Sequence, residues 1–505
     1  MSPADASSYD QVPYASLALP QTHPDRLASI ARIFRLSPPD VSACRVLELG
    51  CASGGNLLPM AFNLPGSEFV GIDTSRQQVE DAQAPIRASG VRNLRVEQAS
   101  IVDIDDAWGR FDYIICHGVF SWVDASVQDA ILRVCAENLS PAGVAYISYN
   151  TYPGWHMRQM VRDMMQYHAA QFSDPQEQVE QARAVLSFLA TASRDSGPYG
   201  QFLTSEADRA ARAADSYLFH EHLERTNIPI YFHQFADRAA GVGLQFLSEA
   251  VVSEMLTSHF GEGVAETLER ISADLVHLEQ YMDFIRNRQF RQTLLCHDAQ
   301  RPVRALDAEA LRGMRLSSAV SVEGSGVDLT PGTAVAFTTG SRRAEVSKPA
   351  TKAAIGLLMD AWPRALAVDE LCRLAIHRAT PVLGDVTPDE AERGMLEDLF
   401  GAVMYGLVEL HTQAPPCTNV TSDTPHAHPL AALQAKSSRF VANAHHQAIE
   451  LDDLSRQVLT LANGRRRHGE MVDELQQAPE TGREELEDRV EQVLATLTRN
   501  ALLIA

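Results

Sequence analysis

Hydrophobic runs long enough to cross a bilayer are missing from this sequence. The longest apolar stretches, such as residues 46–49 and 353–359, fall far short of the roughly 18 to 20 residues that a membrane helix requires. No membrane insertion is expected. The opening MSPADASSYDQVPY has neither a basic n-region nor an apolar h-region, and a cytoplasmic location is the expectation. Cysteine is sparse, 7 in 505 residues, and no CxxC pair occurs. This argues against a disulfide framework and a four-thiolate zinc site. Cys44, Cys51 and Cys116 fall in or beside apolar runs, where cysteine acts as a small buried hydrophobe. Positive charge is also short, with 43 Lys and Arg against 65 Asp and Glu and a formal net charge of -22. Nucleic-acid affinity comes from neutralising phosphates, and only Arg465, Arg466 and Arg467 form a compact basic cluster. Nucleic acid is therefore not an expected partner.

What is present has the composition of folded domains, 45% hydrophobic and 21% charged. A chain of 505 residues exceeds one hydrophobic core, since single cores stop growing near ~250 to 300 residues. The expected division is 1–165, 166–300, 301–345 and 346–505.

From residue 44 to 150 short apolar runs alternate with amphipathic stretches, the pattern of a parallel sheet covered on both faces. Strands are expected at 45–49, 68–73, 94–98, 111–117 and 143–149, with crossover helices at 54–63, 75–88 and 127–139. Residues 158–225 and 255–288 read as helical insertions, and 244–252 and 290–296 as two further strands. Those late strands either complete a seven-stranded sheet or belong to a separate α+β unit at about 215–300. Residues 301–345 are rich in turn formers and read as a connector or small β element. Beyond 346, helices are expected at 350–360, 368–375, 388–405, 453–461, 469–476 and 483–500, with short strands at 406–410 and 501–505.

The strongest chemical signal is VLELGCASGGNLLPM, residues 46–60, where an apolar strand runs through a glycine-rich turn into a helix. Gly50 and Gly54 allow a ligand close to the backbone, and the helix start offers N–H groups to its polar end. Asp73 ends the second strand in FVGID, where an acid can take a nucleotide ribose. A dinucleotide enzyme shares that acid, but its GxGxxG is absent, because the residues from Gly50 read GCASGG. Aromatic residues gather at strand ends and in the first residues: Tyr9, Tyr14, Phe120, Trp122, Tyr149, Tyr152 and Trp155. No metal is expected. The Pro-, Thr- and His-rich stretch 413–429 reads as a loop, and adjacent His220, Glu221 and His222 diverge on a helix.

Glu48, Gly50 and Gly54 resemble motif I of class I S-adenosylmethionine-dependent methyltransferases. HGVFSWV at 117–123, SYNTYPGWHMRQMVRDMM at 148–165, YLFHEHLERTNIPIYFHQF at 217–235 and RFVANAHHQAIELDDLSRQVL from 439 are similar to the bacterial protein-lysine methyltransferases, whose members include rickettsial enzymes acting on outer-membrane proteins. The resemblance implies an α/β fold: a Rossmann-like seven-stranded domain with helical insertions, a regulatory region, and a C-terminal α+β winged-helix-like domain. It implies S-adenosylmethionine as cofactor, held by Glu48, Gly50, Cys51, Gly54, Asn56, Asp73, Thr74, Gln78, Ser100, Ile101, His117 and Gly118. Where many members carry Asp-Ile at the adenine loop, this chain has Ser100-Ile101, with Asp103 as a substitute.

The implied activity is N-methylation of lysine in a protein or peptide, with Tyr14, Phe120, Trp122, Tyr149, Tyr152 and Trp155 lining the acceptor pocket. Methylation of a small molecule or peptide natural product is the alternative. A cofactor-sensing DNA-binding regulator is a second alternative. The acidic C-terminal half is suited to recruiting a basic substrate or to forming a homodimer.

Overall fold

Short β-rich runs punctuated by glycine build one sheet, and the structure, a computed structural model, describes residues 16–324, 326–476 and 483–505. After α1 (Pro24–Ile33), the strands β1 (Arg45–Leu49), β2 (Glu68–Asp73), β3 (Leu94–Gln98), β4 (Phe111–Cys116) and β5 (Leu139–Asn150) pair in parallel. The crossovers are α2 (Leu57–Asn63), α3 (Arg76–Ser89) and α4 (Ala125–Asn138). The Ser75 hydroxyl caps α3 by accepting from the Gln78 N–H, and Gly90 ends it in a left-handed conformation. Asp124 caps α4 through the N–H groups of Ser126 and Val127.

Three helices follow β5: α5 (Gly154–Ala169), α6 (Pro175–Ala192) and α7 (Pro198–Arg212). They pack around Val161, Met165, Leu186 and Leu203. After α8 (Phe232–Ala240), β6 (Leu244–Glu249) returns to the sheet, and α9 (Glu262–Ile271) and α10 (Leu275–Arg286) lead to β7 (Phe290–His297). The strand order is β3-β2-β1-β4-β5-β7-β6, with β7 antiparallel to both neighbours. The two late strands thus complete the seven-stranded sheet.

Val46, Phe69, Tyr113, Ile115 and Val144 face one side of the sheet, and Leu47, Leu49, Val70, Ile72 and Ile114 the other. Both sides are covered, which is why these strands read as nearly unbroken apolar runs. The first core continues into the C-terminal half through Leu316, Phe337, Leu358 and Leu399.

That half holds β8 (Arg315–Ser317), β9 (Ser321–Val322), β10 (Val335–Thr339), β11 (Arg342–Val346), α11 (Pro349–Ala361), β12 (Leu366–Ala367), α12 (Val368–Ala379), α13 (Pro388–Tyr405) and β13 (Glu409–His411). Then come β14 (His426–Ala427), α14 (Pro429–Gln434), β15 (Phe440–Ala442), β16 (Ala448–Glu450), α15 (Asp453–Leu461), α16 (His468–Leu475), α17 (Arg483–Arg499) and β17 (Leu503–Ile504). Val458, Leu459, Met471 and Leu494 form the separate core of this last, winged-helix unit.

Gly406 differs from its expected strand position: at φ 79° it is the left-handed cap of α13, and the strand begins at Glu409. Among the described residues no helix is long and apolar enough to cross a membrane.

Candidate functional site

The turn after β1 is locked to the end of β2. Gly50 and Cys51 both donate to the Ile72 carbonyl at 2.9 Å, and Gly54 donates to the Cys51 carbonyl at 2.9 Å. Gly50 has φ 73° and Gly54 φ 71°. A Cβ at Gly50 would lie 2.5 Å from Val119 Cγ2, so sterics and backbone both demand glycine there. Ala52 has φ 47°, a left-handed conformation costly for a residue with a Cβ. Its N–H donates to Asp73 Oδ2 at 2.9 Å, which secures that conformation, while Asp73 Oδ1 accepts from Ser75 N at 2.9 Å.

The remaining cofactor candidates converge on the same edge, at the carboxyl ends of β1 to β4, where open α/β sheets bind ligands. Thr74 is exposed, and the buried Gln78 opens α3. Ser100 is half-buried and leads into the single turn Ile101–Asp103, while Asp103 is exposed. The Ala99 N–H donates to the Asp73 carbonyl at 3.1 Å, tying this loop to the acid. His117 Nδ1 lies 2.8 Å from the Tyr146 hydroxyl, and burial pushes the imidazole down to about 4. Gly118, at φ 67°, donates its N–H to Ser148 Oγ at 2.8 Å.

Glu48 lies beneath the turn and is 4% exposed. Its Oε1 accepts from Asn56 Nδ2 at 2.8 Å, whereas its buried Oε2 has no hydrogen-bond partner. Burial first, and then the nearby Asp73 charge, push its carboxyl up to about 8 against the Asn56 hydrogen bond. Asn56 is a junction. Its Oδ1 accepts from Leu19 N at 3.0 Å and lies 2.8 Å from Nε2 of His446, 390 residues away. Neither partner carries a sequence signal. The unpartnered carboxylate oxygen, the glycine cradle and the acid of β2 fit a ligand that carries an ammonium group and a ribose.

The aromatic set divides. Phe120 is 0% exposed, Tyr149 1% and Trp155 1%, so all three are packing residues, not pocket walls. Phe120 meets Phe235 edge-on at 5.3 Å, Tyr149 stacks on Phe235 at 4.2 Å, and the Tyr149 hydroxyl lies 3.0 Å from that of Thr293. The reason is that α8 lies across the ends of β4 and β5 on that side. Trp155 packs edge-on to half-buried Trp122 at 6.3 Å, and Arg162 lies over the Trp122 ring at 5.6 Å. Tyr152 stays half-exposed, stacked on His156 at 4.1 Å and 5.2 Å from Tyr231. Tyr9 and Tyr14 lie outside the described residues. Two residues at this edge escaped the sequence reading, Tyr231 and Phe290; the Phe290 ring is 38% exposed and 6.1 Å from that of His117. Glu221 turns away from its histidine neighbours to pair with Arg158 at 3.0 Å.

From Phe290 an open cleft of about 910 Å³ runs past Glu254, Arg286 and Arg288 to Arg342 and Tyr405. It lies between the start of β7 and the C-terminal half.

Comparison with known proteins agrees with this geometry. Residues 40–203 match a methyltransferase domain, 214–297 a predicted methyltransferase regulatory domain, and 423–502 the PKMT C-terminal winged helix domain. The uncharacterized protein RP789 of Rickettsia prowazekii is 36% identical over 471 residues, covering 92% of this chain and 84% of its own. A second protein of that organism, RP028, is 41% identical over 233 residues, 46% of this chain and 93% of its own. The structure of PKMT2 from Rickettsia typhi superposes with a TM-score of 0.88 at 28% identity, over 98% of this chain and 100% of that one. The same protein in complex with AdoHcy also gives 0.88, at 27% identity and the same coverage.

Proposed function

Since the chain belongs to the S-adenosylmethionine-dependent methyltransferases that join a methyltransferase domain to a regulatory domain and a PKMT-type winged helix, we propose that it N-methylates lysine side chains of protein substrates. The observation that carries this reading is the open cleft beginning at Phe290. A small-metabolite site buries most of its ligand in an enclosed pocket. Here the cleft is an open polar trough that a polypeptide can follow, with Phe290, whose ring is 6.1 Å from that of His117, at its head. The name of the superposed PKMT2 points the same way.

When bound, S-adenosylmethionine supplies an electrophilic methyl group. Asp73 would hold its ribose, the turn from Gly50 to Gly54 would cradle it, and Glu48 Oε2 would take the ammonium of its methionine moiety. Ser100, Ile101, His117 and Gly118 border it. The lysine must arrive neutral, since ammonium has no lone pair and its ordinary pKa is about 10.4. The neighbouring Tyr152 and Tyr231 rings would favour the neutral amine by desolvation and hold a methylated ammonium by cation–π attraction. Burial holds the His117 imidazole down to about 4, so it carries no charge at neutral pH, and its Nδ1 is engaged with the Tyr146 hydroxyl. Catalysis then rests on alignment of nitrogen with the methyl carbon.

Glu48 makes the cofactor affinity depend on pH. The folded chain keeps its proton up to about 8, whereas an unfolded glutamate releases it near 4.5. Stability contributed at this site therefore falls as pH rises from 4.5 to 8, and affinity for a cationic ammonium rises over the upper part of that window. Calorimetric titration with S-adenosylhomocysteine is expected to show about tenfold tighter binding at pH 8 than at pH 6. Glu48→Gln is expected to bind weakly and equally at both.

The acceptor is tested by incubating the enzyme with methyl-tritiated cofactor and a lysate. Label is expected in the protein fraction and, after acid hydrolysis, in methylated lysine. Label confined to small molecules would overturn the reading. The chain's own lysines, Lys348, Lys352 and Lys436, are few enough for self-labelling to be assigned by site.

A further inference from the structure

We propose that Glu409, His411 and His445 bind a divalent transition-metal ion, zinc by preference, which clasps the winged-helix unit to β13. Glu409 and His411 stand two apart on β13 and so share a face. His445 reaches them from the turn between β15 and β16, where the Asn443 carboxamide oxygen accepts from the His445 and Gln447 N–H groups. One ligand atom from each residue lies within 4.8 Å of the others. Glu409 Oε2 is 3.4 Å from His445 Nδ1 and 3.9 Å from His411 Nε2. Zinc–ligand bonds of about 2.0 to 2.1 Å in a tetrahedron put neighbouring donors about 3.3 Å apart, so small side-chain movements close the set.

The surroundings prepare both imidazoles. The outer nitrogen of a metal-bound histidine is ordinarily held by a carboxylate or a carbonyl, which fixes the tautomer. His445 Nε2 lies 2.8 Å from the Pro363 carbonyl, which can only accept, so Nε2 carries the hydrogen. His445 Nδ1 faces Glu409 at 3.4 Å on a side chain 2% exposed; against its burial, the neighbouring Cys417 and Glu409 hold the imidazole up to about 10, so a binding ion displaces the Nδ1 proton. His411 Nδ1 lies 3.2 Å from Asp25 Oδ2, and Asp25 is itself held by the Thr412 N–H at 2.8 Å and the Gln413 N–H at 3.2 Å. His411 Nε2 is thereby left as acceptor, at present to Ser317 Oγ at 2.9 Å, and that hydroxyl must rotate away for an ion to bind. The nearby Arg26 cation directs its guanidinium to the Ala250 carbonyl at 3.1 Å. Glu409, His411 and His445 line a cavity of about 330 Å³ that gives an ion a way in and leaves water for the fourth position.

The ion would act at a distance through the next residue. His446 holds Asn56, and Asn56 holds Glu48. A metal on His445 therefore fixes the turn that presents His446 to the cofactor site. Nothing in the sequence pattern pointed here, because the donors come from 409, 411 and 445 rather than from the His-bearing stretch 413–429.

The test is cobalt(II) titration of the full chain, purified without a histidine tag and stripped with chelator. The expected result is one equivalent bound with the intense visible bands of a four-coordinate site, displaced by zinc. Glu409→Gln and His445→Asn are expected to weaken binding at least roughly tenfold. Glu409 is 44% exposed, so its amide variant should fold, and circular dichroism checks this. Hydrogen exchange at residues 440–450 should slow on adding zinc. Weak octahedral-type bands, or equal affinity in wild type and Glu409→Gln, would overturn the proposal.

Discussion

Arg291→Met is expected to lower the thermal unfolding midpoint by roughly 10 °C or to abolish soluble expression, although Arg291 touches no cofactor candidate. Its side chain is 0% exposed near the start of β7, next to the edge strand β6. It donates to Glu249 Oε1 at 2.7 Å, to Glu279 Oε2 at 3.0 Å and to both Asp283 oxygens at 2.8 Å, and lies over the Phe232 ring at 3.8 Å. Arg288, 3.5 Å from Asp283 and 4.0 Å from Glu249, is the second cation. Two guanidinium groups thus face three buried acids. Burial, the largest cause, pushes Glu279 up to about 7, and its unpartnered Oε1 suits a proton.

Removing one partner of a buried ion pair costs about 3 to 5 kcal/mol, because the rest stay buried without compensation. That is a large part of the roughly 5 to 15 kcal/mol that holds a typical protein folded. Arg291→Lys is expected to recover only part of the loss, since an ammonium cannot make the forked contact with Asp283. Glu279 also sets a sign: its proton is kept to about 7 in the fold, so stability should fall as pH rises through neutrality. Calorimetry checks both; a wild-type midpoint for Arg291→Met would show that the cluster is not what holds β6 and β7 in place.

Asp73→Ala is expected to weaken S-adenosylhomocysteine binding at least roughly a hundredfold while the chain stays folded. Hydrogen bonds to a charged acceptor contribute about 1.5 to 3 kcal/mol each, and an ionised carboxylate offers about four lone-pair sites. The backbone N–H groups of Ala52 and Ser75 bond to its two oxygens. The substitution also frees Ala52 from the contact that secures its φ of 47°, so the turn loses its shape as well as its acid. Asp73→Asn keeps an oxygen for one backbone donor and is expected to fall between the two. Asp73 lies at the end of β2, half-buried, and its loss should shift the unfolding midpoint far less than Arg291→Met does. Titration calorimetry decides it, and unchanged affinity would remove Asp73 from the site.

Much of this was legible in sequence because it is local. β1, β2 and β3 fall at the expected residues, since each is a short apolar run ended by glycine or a polar turn. The glycine turn and the acid of β2 are likewise neighbours in sequence and space. β5 begins earlier than expected, at Leu139, because Leu139 pairs with Phe111 across an irregularity before the regular register resumes at Val144 opposite Tyr113. No local pattern announces that. The aromatic residues were the weak part. Phe120 and Tyr149 have the same sequence credentials as Tyr152, and what separates them is Phe235 on α8, which meets Phe120 edge-on, stacks on Tyr149 and buries both. Residue type sets what a ring can do; only packing sets whether it is reached. The same holds for the hydrogen-bonded chain from Glu48 through Asn56 to His446, which joins the two ends of the protein and has no sequence signature.

The account's central claim is that this fold delivers a methyl group to protein lysine. High-resolution mass spectrometry of a protein fraction treated with the enzyme and cofactor tests it most directly. The account predicts mass increases of whole methyl groups, localised by fragmentation to lysine side chains and absent with Asp73→Ala. Methyl groups on carboxylates, on arginine or only on small molecules, at the same level of cofactor turnover, would contradict it.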